Sequence, residues 1–486
     1  MLKVLRVCAV LMVVLFLVKG NAEGSHIDDR YYEEIPLVTH SHVRSDAVVN
    51  RDPPPYQAGW PVNLQGYIWD AVSFVNADAG GYPEVLCSRT VGGMVHLKQY
   101  DGTNYPNWPV SFGQYNYGAP VAGDVDGDDV MEVFTGANTS SGYAALYGWQ
   151  IAGGALPGFP INFASNSQVH SCPVLSDLDD DGDLEVVFSL YVGDSTYVFH
   201  HDGTRLQGWP QESPSNVRDA PVVGDLDGDG DLEVIVVTAS ALYAWHDDGT
   251  ECSGFPRNIG PYYSDGIAMG DLDGDGYGEI IINTVAATNN VRVYDYQGNS
   301  LSGWPQSTGA SLYAEPCLGD LDSDGDLEIV IGATGIGTEY HVHAWHHTGV
   351  AVNGWPAITA MGEWCQGSCA IGDIDDDGDM EVVIGCDDEK VYAFHHTAGL
   401  VTDWPITGPR HQVSAPITLG DIDYDGDIEV GVGSLDSLVH IWDLDGALEM
   451  ANIEWQTYHH DHWFTGWYHP IPPEDLSGGL SGGNVE

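Results

Sequence analysis

A short loop rich in carboxylates recurs along this chain, and its clearest copy reads Asp225-Leu226-Asp227-Gly228-Asp229-Gly230-Asp231-Leu232-Glu233. Acids at positions 1, 3, 5 and 9 with glycine at position 6 form a donor set for a hard cation. A cation of calcium's size takes about six to eight oxygens at roughly 2.3–2.6 Å, and a loop of alternating acids can wrap it. Gly230 permits a left-handed turn where a side chain would obstruct. Position 7 is expected to offer its carbonyl, which explains how Asp231 can be Tyr277 in another copy. Carboxylates about 5 Å apart repel by roughly 3 kcal/mol per pair at an effective dielectric near 20, so folding should be linked to metal. Magnesium suits the loop less well, because it prefers a strict octahedron with retained waters. Zinc would prefer His or Cys, which the loops lack.

Seven copies keep all four acids. They are Asp124, Asp126, Asp128 and Glu132; Asp177, Asp179, Asp181 and Glu185; Asp225, Asp227, Asp229 and Glu233; Asp271, Asp273, Asp275 and Glu279. The remaining three are Asp320, Asp322, Asp324 and Glu328; Asp373, Asp375, Asp377 and Glu381; Asp421, Asp423, Asp425 and Glu429. An eighth copy, the first in the chain, retains Asn76, Asp78 and Glu84 but not the position 5 acid, and is expected to be weak or empty. Asp129 replaces the glycine in one copy, a substitution Asp tolerates in the left-handed region. The expected cofactor is calcium, seven ions, or eight if the first loop fills.

The copies stand about 49 residues apart, a period in the range of propeller blades. Each unit carries a short apolar segment before the loop, a β-branched run after it and an alternating strand such as Leu242 to Trp245. Each ends in an aromatic-Pro step, preceded by glycine in all but two, such as Gly254-Phe255-Pro256. Short β-rich runs without a long amphipathic helix make four strands per unit, and such units stack radially. The expected fold is all-β, a propeller of eight four-stranded blades, with seven blades as the alternative. The aromatics of the last step are most simply packing between neighbouring sheets. These steps run one ahead of the loops: the first, at Trp60, precedes the first loop, and none follows the last alternating strand. The segment around Gly59-Trp60-Pro61 should therefore supply the outermost strand of the final blade, with Trp455 as the competitor for that slot.

The chain has 72 Asp plus Glu against 14 Lys plus Arg, a formal charge of −58. That excludes the basic footprint of a nucleic-acid binder and disfavours anionic lipid surfaces, while 43% hydrophobic residues argue against disorder. Residues 1–22 read as a secretory signal: Lys3 and Arg6, an apolar run from Val7 to Val18, then Gly20 and Ala22. Residues 23–56 read as a polar leader, 57–451 as the propeller, 452–469 as a closing cap and 470–486 as a flexible tail. Among the cysteines most read as small buried hydrophobes, and Cys365 with Cys369 is the pair that could be a disulfide.

The segment Phe112-Gly113, then Gly118-Ala119-Pro120, then Asp124-Val125-Asp126-Gly127-Asp128 resembles the FG-GAP repeat of integrin α-subunit propellers and of bacterial secreted proteins. The resemblance covers roughly residues 57–451 and implies a calcium-binding propeller with its metal loops grouped on one face. Glu at position 9 departs from the family's usual Asp, and eight loops depart from the seven integrin blades. Trp455 to Tyr468, with Thr465-Gly466, looks like the closing motif of bacterial secreted members.

Residues locked into the repeat are poor catalytic candidates. The pairs His200/His201, His346/His347 and His395/His396 share one strand end, where hydrogen bonding is the simplest role. The cluster from Tyr458 to His462 reads as part of the cap. No Gly-x-Ser-x-Gly elbow, P-loop or HExxH is present. Units differ most in the inter-blade loops, which carry Tyr67, Trp69, Tyr115, Tyr117, Tyr262, Tyr263, Tyr313 and Trp364 among amide and hydroxyl residues. Such rings suit sugar stacking or protein contact; plugging of the central channel is the other reading. The expectation is a secreted, monomeric calcium-binding propeller that binds an extracellular glycan or protein and performs no catalysis. A calcium-dependent polysaccharide lyase is the alternative, for which Arg218 and Arg410 would be the cations facing an acidic sugar.

Overall fold

The computed structural model describes residues 54–77, 81–112, 115–116, 118–139, 141–260, 266–285, 290–334, 342–359, 364–444, 453–461 and 464–468. The signal segment, nearly all of the leader, the tail, Asp78, Tyr117, Tyr262 and Tyr263 lie outside the described residues. The described elements are all strands, arranged in eight antiparallel sheets.

Each repeat makes one sheet, numbered here as blades 1 to 8 by its acidic loop. In blade 4 the strands run outward from the centre as Val222–Gly224, Glu233–Val237, Ala241–His246 and Arg257–Asn258. The second strand, Glu-Val-Ile-Val-Val, is buried along its whole length. Its β-branched run suits a strand packed on both faces by neighbouring blades. Blade 6 keeps three strands, with its outer one reduced to a bridge between Val342 and Ala357.

The ring closes as the phase of the aromatic-Pro steps predicts. Val62–Asn63 pairs with Leu438–Asp443 as the outer strand of blade 8, Val62 opposite Val439. Gln57 N donates to Ile441 O at 3.0 Å, and Tyr56 bridges Trp442. Trp455 does not compete for that edge: Ile453–Trp455 joins the inner side of blade 7.

The Gly-aromatic-Pro steps are the seams between blades. Trp60, Trp108, Trp209, Trp304 and Trp355 each donate their indole N–H to a carbonyl in the turn of the next blade, at 2.6–2.8 Å. Six of the eight steps begin with glycine, whose backbone passes against that turn, and Asn107 and Asp403 begin the other two at φ 69°. A Cβ on Gly254 would stand 2.0 Å from Gln297 O, and its φ is +102°.

The C-terminal segment lines the ring's interior. It enters beside the acidic loops, where Glu454 accepts from Asp320 N, and runs along blades 7 and 8, with Leu419 N donating to Gln456 O at 3.0 Å. It turns at His459–His460 and returns along blades 4 and 5, where Val223 N donates to Thr465 O and Met269 N to Gly466 O. Trp455, His459, His460, Asp461 and Phe464 are all buried.

The cysteine pairing expected from the sequence is corrected. Cys365 is bonded to Cys386, and Cys369 is a free, buried thiol. Asp387 N donates to Trp364 O at 2.7 Å, which lays the inter-blade loop across the end of strand Glu381–Cys386. Residue 369, four residues on, has already crossed to the inner strand, where Cys317 Sγ meets its carbonyl at 3.1 Å. The five free cysteines described, Cys87, Cys172, Cys252, Cys317 and Cys369, are all buried, in keeping with a packing role.

Candidate functional site

The acidic loops join the inner strand of each blade to the second, and one hydrogen-bond pattern shapes them. The position 1 carboxylate accepts from the backbone N–H of positions 5 and 6, as Asp271 does from Asp275 at 3.0 Å and Gly276 at 2.9 Å. The position 5 carboxylate accepts from the N–H of position 7, as Asp229 does from Asp231 at 3.0 Å. The position 9 glutamate turns back so that its Oε2 accepts from the N–H of position 2 in all eight copies, at 2.6–3.3 Å. The six position 6 glycines have φ between 88° and 97°, and Asp129 in their place adopts 64°. A second left-handed residue at position 4 escapes sequence reading, because Gly127, Asp180, Ser323 and Tyr424 all fill it.

Each loop thereby gathers several carboxylates whose outer oxygens are left over. Asp179 Oδ1, Asp227 Oδ1, Asp421 Oδ1, Asp423 Oδ1 and Glu429 Oε1 are buried atoms with no hydrogen-bond partner. Burial, with the loop's own aspartates adding to it, pushes Glu132 and Glu279 up to about 8 and Glu381 and Glu429 up to about 9. Orphaned oxygens and carboxyls reluctant to ionise are what a bound cation would satisfy. The donor set fits a divalent metal.

The sequence pattern missed the partner that strand pairing brings to these loops. His200, His246, His346 and His395 place Nδ1 at 2.8–3.0 Å from the Oε1 of Glu185, Glu233, Glu328 and Glu381. The second histidine of each pair lies 3.1–3.2 Å from the position 7 Asp: His201 on Asp183, His347 on Asp326, His396 on Asp379. The only sequence signal is a histidine 13 to 18 residues after four of the position 9 glutamates, across hairpins of differing length.

The inter-blade loops lie at the opposite end of the strands, beside the turns between second and third strands, as the bridges Val91–Tyr115 and Thr334–Trp364 show. Tyr67 and Trp69 are 48% and 44% exposed there. Tyr313 and Trp364 stack at 6.3 Å with 16° between their planes. The aromatics therefore form separate groups: Tyr67, Trp69 and Tyr115 at blades 1 and 2, Tyr313 and Trp364 at blades 6 and 7. Arg218 precedes blade 4 and Arg410 precedes blade 8, on opposite sides of the ring, so they do not form one cationic site.

A model of the FG-GAP-like repeat matches residues 177–236, 225–282 and 271–331, spanning the loops of blades 3 to 6. No curated protein sequence matches the chain. Among solved structures it is similar to the V. cholerae biofilm matrix protein Bap1, at 12% identity and TM-score 0.57, over 84% of this chain and 94% of that one. It is also similar to the exotype rhamnogalacturonan lyase YesX, at 15% identity and TM-score 0.57, over 87% and 83%. A third is Saccharomyces cerevisiae Sqt1, at 10% identity and TM-score 0.58, over 81% and 99%. Identities this low speak for the fold alone. The chain is an eight-bladed antiparallel β-propeller whose blades 3 to 6 carry FG-GAP-like repeats.

Proposed function

We propose that this chain is a secreted, calcium-loaded propeller that binds a glycan or protein through its inter-blade face and carries out no catalysis. Calcium would be held in the seven complete loops by the carboxylates at positions 1, 3, 5 and 9. When bound it supplies the positive charge that lets neighbouring acids remain ionised in the folded state. The observation that carries the binding role is the exposed pair Tyr67 and Trp69 on a loop otherwise tied down. Tyr67 O accepts from Thr90 N at 3.1 Å, and Arg89 braces the carbonyls of Leu64 and Gln65. Rings exposed on a rigid loop suit sugar stacking or a protein contact. Two further points support the setting. The Cys365–Cys386 disulfide fits an oxidising compartment, and no helix among the described residues is long and apolar enough to cross a membrane.

The test is a glycan array read with calcium and with chelator, comparing the full chain with Trp69→Ala and Tyr67→Ala. Calcium-dependent binding that falls at least tenfold in either variant supports the reading. The same samples are assayed for unsaturated sugar product, and its appearance would replace a binding module with a lyase.

A further inference from the structure

The blades differ at one position that their loop sequences conceal. Across the second and third strands, the residue facing the position 9 glutamate is Gln150, His246, His346, His395 and Asp443 in blades 2, 4, 6, 7 and 8. Continuing the register by one residue gives Gln99, His200 and Asp295 in blades 1, 3 and 5. Each offers a lone pair that can bind a metal, and no apolar residue stands there.

In the four histidine blades the donor atoms converge. In blade 7 one ligand atom each from Asp375, Asp377, Glu381 and His395 lies within 4.8 Å of all the others. Blade 3 gathers Asp179, Glu185 and His200 in the same way, and blade 6 gathers Asp322, Asp324 and His346. Blade 4 brings Glu233 and His246 together with the buried thiol of Cys252. The buried Oδ1 of Asp179 and of Asp227 have no partner, which leaves lone pairs to spare at the loops of blades 3 and 4. The imidazole-to-carboxylate separations of 2.8–3.0 Å also match two ligands of one ion. Neighbouring octahedral ligands at about 2.1 Å from a metal stand roughly 3.0 Å apart.

We propose that these strand-borne histidines are metal ligands and that they divide the ring into two kinds of site. From their own loops and strands blades 2, 5 and 8 offer only oxygen, the donor set of calcium, although His347 of blade 6 shares a cavity with Asp273 of blade 5. Blades 3, 4, 6 and 7 add imidazole nitrogen, and blade 4 adds sulfur. Nitrogen and sulfur raise affinity for late first-row divalent cations far more than for calcium. The inference rests on the reading of the acidic loops as metal sites. Its rival is that each histidine only donates a hydrogen bond to its glutamate. His→Gln separates the two roles, since glutamine keeps a donor and already occupies this position in blades 1 and 2.

The experiment titrates the metal-free full chain with Co²⁺ and separately with Ca²⁺, counting ions by native mass spectrometry and following cobalt by visible absorption. The expected result is four tight Co²⁺ ions per chain. Each of His200→Gln, His246→Gln, His346→Gln and His395→Gln should weaken one of them at least tenfold, and the quadruple variant should keep none. Cys252→Ser should abolish a sulfur-to-cobalt band in the near ultraviolet. The quadruple variant should still take Ca²⁺ at blades 2, 5 and 8. Unchanged Co²⁺ binding in the quadruple variant would overturn the proposal while leaving the calcium reading intact. A chain that takes neither ion would overturn the metal-loop reading itself.

Discussion

His459 is the buried cation that pins the C-terminal segment inside the ring, and its replacement is the sharpest test of how the centre is held. Its Nε2 lies 2.9 Å from Glu315 Oε1 and 3.5 Å from Asp219 Oδ1, with all three side chains buried. Tyr458 OH also donates to Asp219 Oδ1 at 2.6 Å. Burial disfavours the charged imidazole, but the Glu315 and Asp219 carboxylates outweigh it and hold His459 up at about 10. A histidine raised in the folded state contributes stability that is fully present below about 6.5 and is lost as the pH rises through about 10. Burial pushes Glu315 up to about 7, so the pair is best read above neutrality, where that carboxylate is ionised. Removing one partner of a buried ion pair costs about 3–5 kcal/mol. His459→Gln should therefore lose about 3–5 kcal/mol at pH 7. Urea unfolding with saturating calcium at pH 7.5, 9 and 10.5 should show the wild-type midpoint falling, while the variant starts low and stays nearly flat. A variant within about 1 kcal/mol of wild type, or one keeping the full pH slope, would mean that the imidazole is neutral and the ring does not depend on it.

Three other outcomes follow from the same geometry. Gly254→Ala must accommodate a Cβ now 2.0 Å from Gln297 O at φ +102°; a left-handed residue costs about 1–2 kcal/mol and overpacking about 1–3 more. Its urea midpoint should drop accordingly, whereas Asn107→Gly, at an equivalent step where φ is already 69°, should change little. Asp225→Asn should remove one ion per chain in native mass spectra and lower the melting temperature, at about 2.7 kcal/mol for an ion present at a hundred times its Kd. Asp231→Asn at position 7 should leave the ion count unchanged. Cys365→Ser opens a disulfide spanning 21 residues and should cost roughly 3 kcal/mol by loop-closure entropy, measured against reduced wild type, which should match it.

What the sequence made legible was whatever the repeat states more than once. The loop spacing, the four-strand unit and the placement of Gly59-Trp60-Pro61 in the last blade all follow from phase, and phase survives drift at any one copy. Asp129 at φ 64° is a case in point: one copy departs from glycine, yet six others define the turn it must make. What stayed hidden depends on contacts between residues distant in sequence or on a single copy. Cys386 lies at the end of a buried strand like several other cysteines, and only the path of the inter-blade loop brings Cys365 to it. The histidines were visible as strand ends, but that they face the position 9 glutamate is a matter of hairpin register. Asp219, Glu315 and His459 come from three separate places along the chain, and no local pattern links them.

The two ends of the strands also differ in how they are held, and that difference bears on where function resides. At the acidic end the same hydrogen bonds recur from blade to blade, so a change there must satisfy a metal loop and the fold together. At the inter-blade end each seam is held its own way. Asn116 spans Ser88 and Thr135 between blades 1 and 2. Near blades 7 and 8, Asp387 alone accepts from Gln366, Gln412 and Ser414. Because these supports are local, one inter-blade loop can change its side chains without disturbing the other seven. A scaffold stiffened by repeated loops on one face and supported singly on the other confines variation to the second face. That is why Tyr67 and Trp69, unrepeated and exposed on it, are the residues to test first for a ligand.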